Sequence, residues 1–261
     1  MLRVLLLAGS TEASSIARRL ESVDDVIVSF AGRTRERVEL PGRVRVGGFG
    51  GPAGLAQYLD HERVDAVVDA THPFAAHMPW NAAEACATAG VPRLRVCRPP
   101  WAPRAGDRWC AVGDLEAATA AIEELGVRRV FLTTGRQELA PFARLHDVWY
   151  LVRAIEPPDP MPLANAHVVL ARGPFDESAE LELMRGHGIE AVVAKNSGGD
   201  AAAAKLSAAR NLGLPVIMVE RPQAPPGPCV SDVDDALVWL DDVRAAARAV
   251  AAPRSDQSAE G

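Results

Sequence analysis

The chain has no apolar run long enough to cross a bilayer as a helix. The N-terminal run Met1 to Ala8 stops at Gly9-Ser10-Thr11-Glu12, too short for a secretory core, and reads as a buried first strand. Cysteine is scarce: Cys86, Cys97, Cys110 and Cys229 are scattered with no C-x-x-C pair, which suits reduced thiols in a cytoplasmic protein rather than a disulfide frame or zinc site. Positive charge is not in excess, with 28 Lys and Arg against 34 Asp and Glu and a net charge of −6. This balance argues against a nucleic-acid or anionic-membrane partner. Neither G-x-S-x-G nor G-x-x-x-x-G-K-[ST] occurs, which disfavours an elbow-type serine hydrolase and a P-loop nucleotidase. His72 and His77 lack an organised third ligand, so no metal site is expected.

Apolar residues make up 48% of the 261, enough for a substantial core. Short Val/Leu/Ile runs alternate with Ala-rich amphipathic stretches almost throughout. Strands are expected over 3–8, 26–31, 44–47, 66–70 and 93–97, then 130–133, 148–152, 168–171, 191–194 and 216–219. Helices are expected over 12–22, 54–60, 75–89, 114–125, 176–186, 201–212 and 232–247. Most strands are apolar along their whole length, as strands covered on both faces are. The pattern predicts an α/β protein with parallel sheets flanked by helices. Three prolines within 98–104 interrupt it, and the inter-domain connection is placed there. The expected division is 1–100 and 101–250, with a frayed tail over 251–261.

Several strand ends carry polar residues, and the carboxyl edge of an open α/β sheet is where ligands bind. The loop Gly9-Ser10-Thr11-Glu12 opens a helix as a nucleotide loop does, although it keeps only one glycine of G-x-G-x-x-G. Ser10 or Thr11 either caps that helix or meets a phosphate. Ser29, Arg33 and Thr34 follow the second strand without an acid, a composition that favours NADPH over NADH if a dinucleotide binds. Thr71 and His72 end the apolar run 66–70, and His72 is either a proton donor or a histidine tied to loop backbone. In the second half, Thr134-Gly135-Arg136, Arg172 and Lys195-Asn196-Ser197-Gly198-Gly199 also sit at strand ends. Their cations suit a phosphorylated ligand or a polycarboxylate.

These blocks, in this order, closely resemble the precorrin-6A reductase family. The resemblance runs from about Leu5 to Pro222. It rests on Gly9-Ser10-Thr11-Glu12-Ala13, Asp69-Ala70-Thr71-His72-Pro73-Phe74-Ala75, Asn81-Ala82 through Cys86 and Arg98-Pro99-Pro100-Trp101. It continues in Thr133-Thr134-Gly135-Arg136, Arg172-Gly173-Pro174-Phe175, Lys195 to Gly199 and Ala204-Lys205-Leu206. One departure is Ala8-Gly9-Ser10, where the family usually reads Gly-Gly-Thr. The resemblance implies two Rossmann-like domains with the active site in the cleft between them. It also implies NADPH-dependent reduction of a carbon–carbon double bond of a tetrapyrrole, precorrin-6A, to precorrin-6B in cobalamin biosynthesis.

On that basis, Gly9, Ser10, Thr11, Glu12, Ser29, Arg33, Thr34, Thr71, Thr134, Gly135 and Arg136 are expected to bind the cofactor. Arg136, Arg172, Lys195, Asn196, Ser197, Gly198 and Lys205 are expected to bind the substrate, with Lys195 and His72 as candidate catalytic groups. A monomer or weak homo-oligomer is expected. The alternatives are a tetrapyrrole methyltransferase using S-adenosylmethionine and a non-catalytic nucleotide- or tetrapyrrole-binding module.

Overall fold

The computed structural model describes residues 1–32 and 40–251. Arg33, Thr34 and the expected tail beyond Ala251 lie outside the described residues. The chain forms two units, residues 1–98 with 223–261, and residues 99–222.

The first unit runs β1 (Arg3–Ala8), α1 (Thr11–Leu20), β2 (Asp25–Phe30), β3 (Arg43–Val46), α2 (Gly51–His61), β4 (Ala66–Ala70), α3 (Met78–Ala89) and β5 (Arg93–Val96). In the second unit come β6 (Arg108–Val112), α4 (Leu115–Leu125), β7 (Arg129–Leu132), β8 (Trp149–Ala154), β9 (Ala166–Leu170), α5 (Glu177–Gly186), β10 (Ala191–Lys195), α6 (Ala204–Asn211) and β11 (Pro215–Val219). The chain then returns to the first unit with β12 (Cys229–Val230) and α7 (Val233–Ala251).

Each sheet has six strands, in the orders β12-β5-β4-β1-β2-β3 and β6-β11-β10-β7-β8-β9. The pairings are parallel. The uniform apolarity of β1 follows from its place in the middle. Val4, Leu6 and Ala8 face one cluster with Ile16, Leu20, Ala236 and Leu240, while Leu5 and Leu7 face another with Leu55, Leu59, Ala82 and Ala85. Successive side chains of a strand point to opposite faces, so α1 and α7 cover one and α2 and α3 the other.

Three departures from the expected pattern have physical reasons. β6 reads Arg-Trp-Cys-Ala-Val and is largely solvent-facing, because it lies at a sheet edge beside β11. It lacks the continuous apolar signal of a central strand. β12 spans only two residues, too short to show any period. The last helix, expected to continue the second half, belongs to the first unit. Ala236 and Leu240 are fully buried there, and Arg244 holds Asp24 at 2.6 Å, while Asp24 itself accepts the Leu2 N–H at 2.8 Å. Sequence order alone suggested the second half; burial of an apolar helix face decided for the first.

Leu240→Ala should therefore destabilise the first unit by about 2–5 kcal/mol, because a fully buried leucine leaves a cavity. Denaturant unfolding followed by far-UV circular dichroism measures it.

Candidate functional site

In both sheets the strand order reverses at one point. In the first, β1 runs on to β2 and β3 on one side and to β4 and β5 on the other. In the second, β7 runs to β8 and β9 on one side and to β10 and β11 on the other. Connections leave a reversal point in opposite directions and open a crevice at the carboxyl ends of its two strands. The loops flanking the crevices are 9–12 and 71–74 in the first unit, and 133–138 and 195–199 in the second.

In the first unit the two loops touch. A Cβ on Gly9 would stand 2.8 Å from the His72 backbone nitrogen, so only glycine permits this approach. Ser10 caps α1 and accepts from the Ala13 N–H at 3.4 Å, while its hydroxyl donates to the Ala70 carbonyl at 2.9 Å. Both roles tie the loop together. Thr11 is exposed at the helix N-terminus and donates to Glu12 at 3.3 Å. Burial works to raise the Glu12 pKa, but its own backbone N–H, the Arg98 guanidinium and the Ser10 hydroxyl outweigh this and hold it below the usual carboxylate range. Arg98 reaches both Glu12 oxygens, at 2.9 and 3.2 Å. A carboxylate at this position would repel a phosphate; its pairing with Arg98 offsets that charge.

Thr71 donates both its N–H and its hydroxyl to Asp69 Oδ1, at 3.1 and 2.7 Å. Asp69 is fully buried inside β4, and Arg95 lies 4.0 Å from its other oxygen. His72 accepts the Phe74 N–H at Nδ1, 3.2 Å away, so its neutral form carries the proton on Nε2. His72 is thus tied to loop backbone through Nδ1.

Ser29 is engaged within the sheet. It is 5% exposed on β2 and accepts from Arg45 at 3.4 Å. Arg45, on the neighbouring β3, is the cation that the sequence did not single out. Its guanidinium donates to the Gly47 and Gly48 carbonyls at 2.6 and 2.7 Å and stacks on Phe49 at 3.6 Å. Among the described residues no carboxylate pairs with it. Its position opposite Ser29 in the β2–β3 register was the available signal, hidden in an Arg-Val-Arg-Val strand that reads as an exposed edge.

The second unit's crevice is less cationic than expected. Arg136 pairs with Glu156 at 2.7 Å and Lys195 with Glu138 at 2.8 Å. Arg172 is exposed beyond β9. Both carboxylates were missed, although each sits at the end of a strand or in the turn that follows one. Thr133 bonds to the Val193 carbonyl at 2.9 Å and ties β7 to β10. Thr134 is 5% exposed, and its hydroxyl has no partner among the described residues. Gly135 has φ +102° and nothing within 4 Å of a Cβ position. A buried hydroxyl without a partner ordinarily costs free energy, so this one calls for an explanation.

Three of the residues expected to bind substrate are engaged within the protein. Asn196 spends its amide on Trp101, accepting its N–H at 2.7 Å and donating to its carbonyl at 3.1 Å. Gly198 is buried with φ +68°, and a Cβ there would fall 2.0 Å from the Pro99 carbonyl oxygen. Lys205 is 5% exposed, with its ammonium donated to the Ala202 carbonyl at 2.6 Å. These residues shape the loop. Lys195 and Ser197 remain half-buried within it, with the Ser197 N–H turned back onto the Lys195 carbonyl at 2.7 Å.

Gly198→Ala should cost at least about 1–2 kcal/mol from the left-handed backbone alone, with the Pro99 clash adding to it. A fall in thermal midpoint checks this.

Comparison with known proteins adds a third line. The family profile described as "Precorrin-6x reductase CbiJ/CobK" matches residues 3–241. A precorrin-6A reductase of Rhodobacter capsulatus is 47% identical over 252 residues, covering 96% of this chain and all of the relative. One from Mycobacterium tuberculosis is 46% identical over 242 residues, covering 92% of this chain and 98% of the relative. A cobalt-precorrin-6A reductase of Priestia megaterium is 28% identical, covering 90% of this chain and 96% of the relative. A solved structure titled "CobK precorrin-6A reductase" superposes with a TM-score of 0.87 at 47% identity, covering 93% of this chain and 97% of that one. The chain belongs to the precorrin-6x reductase CbiJ/CobK family.

Proposed function

We propose that the protein reduces one carbon–carbon double bond of precorrin-6A with NADPH, giving precorrin-6B in cobalamin biosynthesis. The carrying observation is that the loops shared with the family flank the order reversal of both sheets. Relatives at 46–47% identity are named precorrin-6A reductase and one at 28% cobalt-precorrin-6A reductase, which favours the ring without cobalt. Four cysteines scattered without a C-x-x-C pair suit a cytoplasmic setting.

The first unit's residues fit a dinucleotide. Gly9, Ser10 and Thr11 bring a helix N-terminus to the crevice, and Arg98 offsets the charge of Glu12. Arg33 and Arg45 are the cations for a 2′-phosphate. When bound, the cofactor supplies the hydride. In the second unit, Thr134 and Gly135 form the receiving polar pocket, and Arg136 and Arg172 meet carboxylates of the ring. Lys195 delivers the proton, with Glu138 holding its ammonium in place.

Anaerobic incubation with precorrin-6A and NADPH should oxidise the cofactor and yield a product two hydrogens heavier. A folded sample that binds NADPH without turnover overturns the reductase reading. Lys195→Met should lower kcat about 100-fold or more, the share of a positioned general acid, with NADPH affinity retained. Loss of affinity in place of turnover would remove Lys195 from the proton step. Arg33→Ala should weaken NADPH by about 10-fold or more while sparing NADH, as measured by calorimetry.

A further inference from the structure

Lys205 has the chemistry of a ligand cation but is 5% exposed and engaged within the protein. It leaves the first turn of α6, and its ammonium donates to the Ala202 carbonyl at 2.6 Å. The same ammonium stands 4.8 Å from the centre of the Trp101 ring, within range of a cation–π contact. Its charged neighbours are Arg153 from β8 and Glu180 from α5. Those two form a buried ion pair, 7% and 3% exposed, whose second contact is 3.1 Å. The Arg153 guanidinium lies over Phe175 at 3.8 Å and Phe131 at 4.9 Å. The other elements against Lys205 present an indole ring and a carbonyl, and Asp200 on the adjoining turn is exposed. The interior therefore holds two cations and one carboxylate when Lys205 is charged, and is balanced when it is neutral.

Three segments meet at this ammonium. The first is the strap 99–101. Trp101 is bound by the Asn196 amide through its backbone N–H and carbonyl, and its ring nitrogen donates to the Gly199 carbonyl at 3.0 Å. The second is the turn Asp200–Ala202, whose final carbonyl Lys205 holds. The third is 173–175: the Phe175 N–H bonds to the Ala201 carbonyl at 3.2 Å, and a Cβ on Gly173 would stand 2.9 Å from that same oxygen. Asn196 directly follows Lys195, so whatever fixes Trp101 and Ala202 fixes the loop that carries the reacting ammonium.

We propose that Lys205 is a positioning residue that couples its own protonation to the shape of the 195–202 loop. Charged, it grips Trp101 and Ala202 and sets Lys195; neutral, it loses the cation–π contact and the loop slackens. The proposal rests on reading the loop as the proton-delivering side of the reductase. Burial, and then the charge of Arg153, bring the Lys205 pKa from its ordinary 10.5 down to about 7, against the pull of Glu180. The cation–π part of the grip is thus present below that value and fades as pH rises through it, while the neutral amine still has an N–H for the Ala202 carbonyl. Because the folded form binds the proton less tightly than the unfolded one, this group makes stability rise with pH between about 7 and 10.5.

Trp101 reports on the grip without substrate. The chain has five tryptophans, so the Trp101 signal is the difference between wild type and Trp101→Phe at each pH. Fluorescence should follow one proton with a midpoint near 7 in the wild type, and be flat in Lys205→Met and Lys205→Arg. In turnover assays kcat should carry the same alkaline fall, which Lys205→Arg abolishes because its charge is permanent, with the KM for NADPH unchanged. A flat wild-type signal, or one that still titrates in Lys205→Met, overturns the proposal. If Lys205→Arg does not fold, Lys205→Met decides by the same signal. Failure of the reductase reading is distinct: no wild-type turnover, with the fluorescence titration still deciding the role of Lys205.

Discussion

Everything at the candidate site depends on the reversal of strand order in a parallel sheet. Backbone hydrogen bonding stacks the strands in one direction, and right-handed crossovers force the connections on either side of β1, and of β7, to opposite faces. At those two places the sheet cannot be roofed by its own connections. Polar loops are tolerated there because they remain in reach of solvent or ligand, and the chemistry collects where the topology leaves it room.

How the two crevices are furnished differs. The first is held by contacts between neutral groups and backbone: the Gly9 approach to His72, the Ser10 hydroxyl on Ala70, and Thr71 on Asp69. The second carries matched charges, Arg136 with Glu156 and Lys195 with Glu138, and a Thr134 hydroxyl with no partner among the described residues. A paired cation is pre-oriented but not idle; a carboxylate ligand competes for it with the resident acid, which raises discrimination more than affinity.

Much of this was legible in the sequence where one local rule governs. The apolar runs gave the central strands because both their faces are covered, and the polar residues after them marked the crevice loops. The edge strands β6 and β12 were missed because an edge needs no continuous apolar run. The home of α7 was illegible because nothing local distinguishes the partner of an amphipathic face. Residue type does not disclose internal partners. Asn196 and Lys205 look like ligand groups, and in the fold one clamps Trp101 and the other is buried against the Ala202 carbonyl. Glu138, Glu156 and Arg45 were overlooked because their meaning lies in what they face across the fold.

The return of residues 223–251 to the first unit has a consequence for how the protein is made. During synthesis β1 to β5 emerge first, but Leu240 and Ala236, which seal one face of their sheet, emerge last. The second unit is continuous in sequence and complete before them. The older half of the chain must wait with an open apolar face while the younger half closes. The final helix is therefore a latch, and truncation at the C-terminus strikes at the N-terminal half.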